Sequence, residues 1–128
     1  MNQKQMFQNR TKLLAVQIIE MTNQLPKTMA AEVIGKQIIR SATSVGANYR
    51  AACRAKSEAD MVNKLKIVEE EADETQFWLE ILIDTDLMPE SKITNLWQET
   101  DEILAMTVAS IKTLRKRQPK SSITNQQS

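Results

Sequence analysis

Between Ala31 and Ala55, the residues Ala31, Ile34, Ile38, Ser41, Val45, Asn48, Ala52 and Ala55 recur at alternating steps of three and four. A helix sets such a series along one face, and the spacing is that of a helix packed against other helices. The centre of the stretch, Gln37–Tyr49, contains a single charged residue, Arg40. A helix that borders water normally carries charge on its wet side. This one is expected to meet several neighbours, through a seam of Ser41, Ser44, Val45, Gly46, Asn48 and Tyr49 that serves packing, oligomer contact or both. Polar Ser41 and Asn48 suit a role in register, and Gly46 admits a close backbone. The hydroxyls crowded here have no base or metal ligand beside them in sequence, so they read as packing groups and not as an active site.

Three further segments carry helical spacing. Leu14, Ile18, Met21 and Leu25 predict a first helix over about Arg10–Gln24, stopped by Pro26. Thr28 is a suitable N-cap for the second helix, which is expected to reach Ala55. Ser57 and Asp60 form a capping box for a third helix over Glu58–Asp84, with the seam Met61, Leu65, Val68, Ala72, Thr75, Leu79 and Leu82. Pro89 opens a fourth, ending near Arg117, on the stripe Ile93, Leu96, Thr100, Ile103, Thr107, Ser110 and Leu114. With only 2 Gly and 3 Pro, the chain lacks the turn formers of a sheet protein. The expected fold is all-α: an antiparallel up-down-up-down four-helix bundle over residues 10–117, with a flexible N-terminus at 1–9 and a disordered polar tail at 118–128. The first helix is the shortest, which leaves part of the long core to be covered by self-association.

The chain has no histidine and one cysteine, Cys53. That removes histidine-based acid/base and nucleophile chemistry, most zinc and di-iron sites, and any internal disulfide. No apolar run is long enough for a membrane span and no secretory leader is visible, so a cytoplasmic location is expected. No cofactor, metal or catalytic residue is indicated, and the chain reads as non-enzymatic.

Charge is unevenly distributed. Residues 1–56 carry nine Lys/Arg against Glu20 and Glu32, residues 57–104 carry three against fourteen Asp/Glu, and residues 105–128 carry five against none. Such asymmetry points to an anionic partner for the basic segments or to neutralisation within the bundle. The candidate nucleic-acid-binding residues are Arg40, Arg50, Arg54, Lys56, Lys64 and Lys66, joined by Arg115, Lys116 and Arg117. With few aromatics nearby, they suit the RNA or DNA backbone better than stacked bases. The acidic run Glu69, Glu70, Glu71, Asp73 and Glu74 reads as a solvated face or a partner for arginines, with Glu74 a candidate mate for Arg40. A carboxylate-metal nuclease is a weak third reading, behind nucleic-acid binding and a protein-interaction scaffold.

The run RSATSVGANYRAACRAKSEADMVNKLKIVEEEADETQFWLEIL, Arg40 to Leu82, resembles the four-helix-bundle proteins encoded in intervening sequences of bacterial 23S rRNA genes; Leu25-Pro26-Lys27 and Gln37-Ile38 fit as well. That family is similar to the accessory variability proteins of diversity-generating retroelements, which are homopentameric barrels engaging nucleic acid. The resemblance implies a bacterial cytoplasmic protein, a homo-oligomeric ring with the pentamer favoured, no known enzymatic activity, and contact with RNA. Where relatives often carry an acidic residue after the Asn-aromatic pair, this chain has Arg50. Around a ring, the basic residues would form a belt.

Overall fold

The computed structural model describes residues 1–117. Four α-helices make up the fold: α1 (Gln3–Thr22), α2 (Met29–Cys53), α3 (Glu58–Asp84) and α4 (Glu90–Lys116). The expected tail 118–128 lies outside the described residues. Three helices start on a side chain that accepts a hydrogen bond from a first-turn amide. Asn2 Oδ1 accepts from Gln5 N–H (2.8 Å), Thr28 Oγ1 from Ala31 N–H (3.2 Å) and Ser57 Oγ from Asp60 N–H (3.1 Å). The capping box at Ser57 is shifted by a residue. Asp60, shorter than the usual glutamate, accepts from Lys56 N–H at 3.2 Å, one position before the cap. Pro89 is itself the N-cap of α4 and supplies no side-chain bond.

The α3–α4 connection closes on a Schellman motif. Leu87 N–H reaches Leu82 O (3.1 Å) and Asp86 N–H reaches Ile83 O (3.0 Å), with Asp86 in the left-handed region at φ 57°. Aspartate tolerates this conformation better than most residues, yet glycine adopts it without strain. Asp86→Gly is therefore expected to raise stability by about 0.5–1 kcal/mol, read as a higher urea midpoint at unchanged m-value.

Each helix packs on two others, α1 on α2 and α4, and α3 on α2 and α4, with α1 leaning chiefly on α2. One pair within α1 and one just past its end fix its antiparallel run against α4. Arg10 Nε donates to Glu99 Oε2 at 2.9 Å, and Lys92 Nζ donates to Gln24 Oε1 at 2.6 Å. The core holds Leu14, Ile18, Ile38, Val68, Leu79, Leu82, Ile93 and Ile103, all fully buried. A second cluster, Ala52, Val62, Leu65, Ile111 and Leu114, fills the end where α2 stops and α3 begins; no α1 residue belongs to it. Burial of these side chains drives the packing.

The polar side chains inside are satisfied. Thr100 and Thr107 return their hydroxyl protons to Leu96 O and Ile103 O at 2.7 Å. Thr75 Oγ1 lies 2.9 Å from Ser41 Oγ and 2.8 Å from Glu71 O, while Ser41 Oγ lies 3.2 Å from Ile38 O. Each hydroxyl has one proton, so two of these three contacts are hydrogen bonds at any moment: Ser41 donates to Ile38 O while Thr75 donates to Glu71 O or to Ser41 Oγ. Among the described residues no buried side-chain nitrogen or oxygen lacks a partner.

The first helix departs from the sequence expectation. It starts at Gln3, not Arg10, and Phe7, in the segment expected to be flexible, is buried against Tyr49 with ring centroids 4.4 Å apart. The hydrophobic partner is what holds these turns in place. At its other end α1 stops at Thr22, not Gln24, and α2 stops at Cys53, not Ala55. Arg54 N–H and Ala55 N–H bond back to Ala51 O and Ala52 O in a tightened final turn.

Candidate nucleic-acid interface

The antiparallel order places the C-terminus of α2, the N-terminus of α3 and the C-terminus of α4 together. Arg117 Nη2 lies 3.1 Å from Glu58 Oε1, which ties the end of α4 to the start of α3. Two basic clusters that are far apart in sequence therefore share one end of the bundle: Arg50, Arg54 and Lys56 on the α2 side, and Arg115, Lys116 and Arg117 on the α4 side. Lys112 and Lys4 add to the same end, since the start of α1 packs beside Tyr49. Lys64 and Lys66 stand further along α3. Glu58 and Asp60 are the acids of the first α3 turn, and Asp60 is spent on its cap.

Charge pairing separates these candidates. Arg40 is neutralised: its guanidinium lies 3.0 Å from Glu71 Oε2 and in direct contact with Glu74. The Arg40–Glu74 pairing expected from sequence is present, with Glu71 as a second partner. Arg117 is shared with Glu58. Among the described residues, Arg50, Arg54, Lys56, Lys64, Lys66, Arg115 and Lys116 form no ion pair. Of these all but Lys64, which is half-buried, are exposed. Cations held in water with no carboxylate partner are free to exchange counterions for phosphates.

The acids of α3 are differently employed. Glu74 accepts from Trp78 Nε1–H (3.0 Å) and pairs with Arg40, and these contacts, the indole bond first, hold its carboxyl below the usual glutamate range. A depressed folded pKa contributes stability above the unfolded value and loses it as pH falls through the folded value. Glu74→Gln is therefore expected to flatten the acid limb of stability below about pH 4, the ordinary glutamate range. Urea midpoints at successive pH values check this. Among the described residues no group of three or more His, Cys, Asp or Glu is placed to hold a metal ion.

The seam residues divide by burial. Ser41, Val45 and Gly46 are buried within the bundle. A Cβ on Gly46 would lie 3.4 Å from Thr11 Oγ1 and 3.5 Å from the Thr11 backbone, so the glycine marks the close approach of α1 to α2. Ser44 and Asn48 are half-buried and joined to each other, Asn48 Nδ2 donating to Ser44 Oγ (2.8 Å) and Ser44 O (2.9 Å). Tyr49 packs on Phe7, and burial, with Cys53 adjacent, pushes its phenol well above the ordinary value. The outward face of α2 is charged after all, with Lys36, Arg40, Arg50 and Arg54 exposed along it.

Sequence reasoning missed Phe7, Lys4 and Arg10. Arg10 donates to Glu99 and Glu102 of α4 (2.6 Å and 3.2 Å from Nη2), and these bonds, those to Glu99 first, raise its pKa further.

The fold and its charge define an all-α protein of four packed helices with unpaired cations gathered at one end. The chain belongs to the 23S rRNA-intervening sequence protein family, whose model matches residues 3–109. It is also similar to a crystal structure of a protein with unknown function from the S23 ribosomal protein family of Bacteroides thetaiotaomicron VPI-5482. The two share 35% sequence identity over 87% of this chain and 99% of that one, with a TM-score of 0.80. No curated protein matches the chain. No helix among the described residues is long and apolar enough to cross a membrane.

Proposed function

We propose that the protein is a non-catalytic, RNA-associating homo-oligomer that contacts the nucleic-acid backbone through the basic end of each bundle. The observation that carries this reading is the convergence of unpaired cations from α2 and α4 on one end. A surface with that charge and few aromatics neutralises phosphates with little regard to sequence.

Self-association is supported by exposed apolar side chains away from the basic end. Leu13, Val16 and Ile19 on α1, Met29 and Val33 on α2, and Phe77 on α3 face solvent there. Apolar surface of this kind favours a protein contact. Exposed apolar side chains along these flanks let subunits join while the basic ends stay free. The likeness to the pentameric accessory variability proteins makes the pentamer the first choice.

Light scattering is expected to give a mass five times the 14.6 kDa of the chain. Anisotropy with labelled single-stranded RNA is expected to show affinity falling steeply between about 50 and 200 mM salt. A monomer would remove the assembly. An oligomer that binds no RNA at low salt would leave the protein-interaction scaffold in its place.

A further inference from the structure

The seam between α1 and α4 opens at the basic end into a cleft of about 510 Å³, a volume within the range of small-molecule sites. Phe7, Tyr49 and Leu65 line it from the core side. Met6 of α1 and Met106 of α4 line it from the solvent side, each about half exposed. Arg10 lies beside it with its charge already matched by Glu99 and Glu102, and its Nη1 donates to Met106 Sδ at 3.3 Å, which orients that thioether. Lys4 also lines the cleft, exposed and without an ion pair among the described residues, and Gln3 and Ser110 offer an amide and a hydroxyl.

These groups suit a flat aromatic ligand with one anionic end. Thioethers pack well against aromatic rings. Phe7 and Tyr49 give an apolar wall for a ring, the amide and hydroxyl can meet a base edge, and Lys4 can meet a phosphate. We propose that the α1–α4 cleft is a nucleotide pocket. It takes one unstacked base against Phe7 and Tyr49, between the methyl-thioethers of Met6 and Met106, with the phosphate at Lys4. The proposal rests on the RNA reading only for the source of the ligand, an unpaired nucleotide of a strand; a free mononucleotide offers the same chemistry.

The test uses the full chain carrying ¹³C-methyl methionine, titrated with AMP, adenosine, inorganic phosphate, single-stranded RNA and blunt duplex RNA. AMP is expected to move the Met6 and Met106 signals and leave Met29, exposed at the far end, in place. Met106→Ala is expected to weaken AMP binding about tenfold. Lys4→Glu is expected to weaken AMP more than adenosine. Single-stranded but not duplex RNA moving the same two signals identifies the strand as the source, and movement by AMP alone identifies a free nucleotide. Unmoved Met6 and Met106 signals at millimolar AMP overturn the pocket, as do equal shifts with inorganic phosphate. The quadruple change Arg54→Glu, Lys56→Glu, Arg115→Glu and Lys116→Glu is expected to leave the AMP shifts intact, so loss of the backbone contact and loss of the pocket are distinguishable.

Discussion

Replacing Arg54, Lys56, Arg115 and Lys116 together with glutamate lowers the affinity for single-stranded RNA by about a hundredfold or more at low salt. Each phosphate contact on a single strand contributes about 0.7 to the slope of log affinity against log salt, so four lost contacts lower that slope by about 3. All four side chains are exposed and form no ion pair among the described residues, so their reversal removes no contact that holds the bundle. Helix content and urea midpoint should stay close to those of the parent. The informative control is a reversal of equal charge away from that end, Lys27→Glu, Lys36→Glu and Lys92→Glu with Arg40→Glu at the middle of α2. Three of those cations are already engaged: Lys36 with Glu32, Lys92 with Gln24, and Arg40 with Glu71 and Glu74. Anisotropy titrations on both variants separate the two cases. An equal loss of affinity in the control would mean that net charge alone attracts RNA and that the basic end has no special place.

The helices were legible where hydrophobic spacing was unbroken. The seams of α2, α3 and α4 appear in the sequence at steps of three and four, and the buried residues follow them except at the basic end, where Val62 is buried in place of Met61 and Ile111 in place of Ser110, which is exposed. The start of α1 was hidden by one residue. Phe7, Thr11, Leu14, Ile18 and Met21 keep the same steps, but Thr11 is polar, and a stripe counted on apolar residues stops there. In the fold Thr11 is fully buried because its hydroxyl donates to Gln8 O at 3.1 Å, a local bond that removes the cost of burying it. The basic end was legible only in halves. Arg50–Lys56 and Arg115–Arg117 stand out as clusters, yet their union depends on α4 running back beside α3. Arg40 and Arg50 were both candidate phosphate contacts in sequence, with Glu74 already a candidate mate for Arg40. The register of α2 on α3 sets Arg40 opposite Glu71 and Glu74 and leaves Arg50 without an acid. Which cations are free is a property of packing, and spacing along one helix does not reveal it.

Phe7→Ala is expected to destabilise the protein by about 3–5 kcal/mol, among the largest costs of any single truncation in the chain. Its ring is only 7% exposed and lies against Tyr49, so truncation opens a cavity where α1 meets α2 and removes an aromatic contact. The loss reaches beyond the contact itself. The first turns of α1 are held by the Asn2 cap, the Arg10 clamp to Glu99 and this ring, and a short exposed helix end does not persist on local bonds alone. With the ring gone, Gln3–Asn9 should fray, exposing Tyr49 and raising amide exchange across those residues. Leu13→Ala on the outer face of the same helix, at 55% exposure, is expected to change the monomer's stability by no more than about 0.5 kcal/mol. Urea unfolding of both variants, below the concentration at which subunits associate, gives the comparison. If residues 1–9 were a flexible leader, Phe7→Ala would be as silent as Leu13→Ala. A large cost at Phe7 alone places the beginning of the helix, and with it Lys4 and the wall of the cleft, in the folded body of the protein.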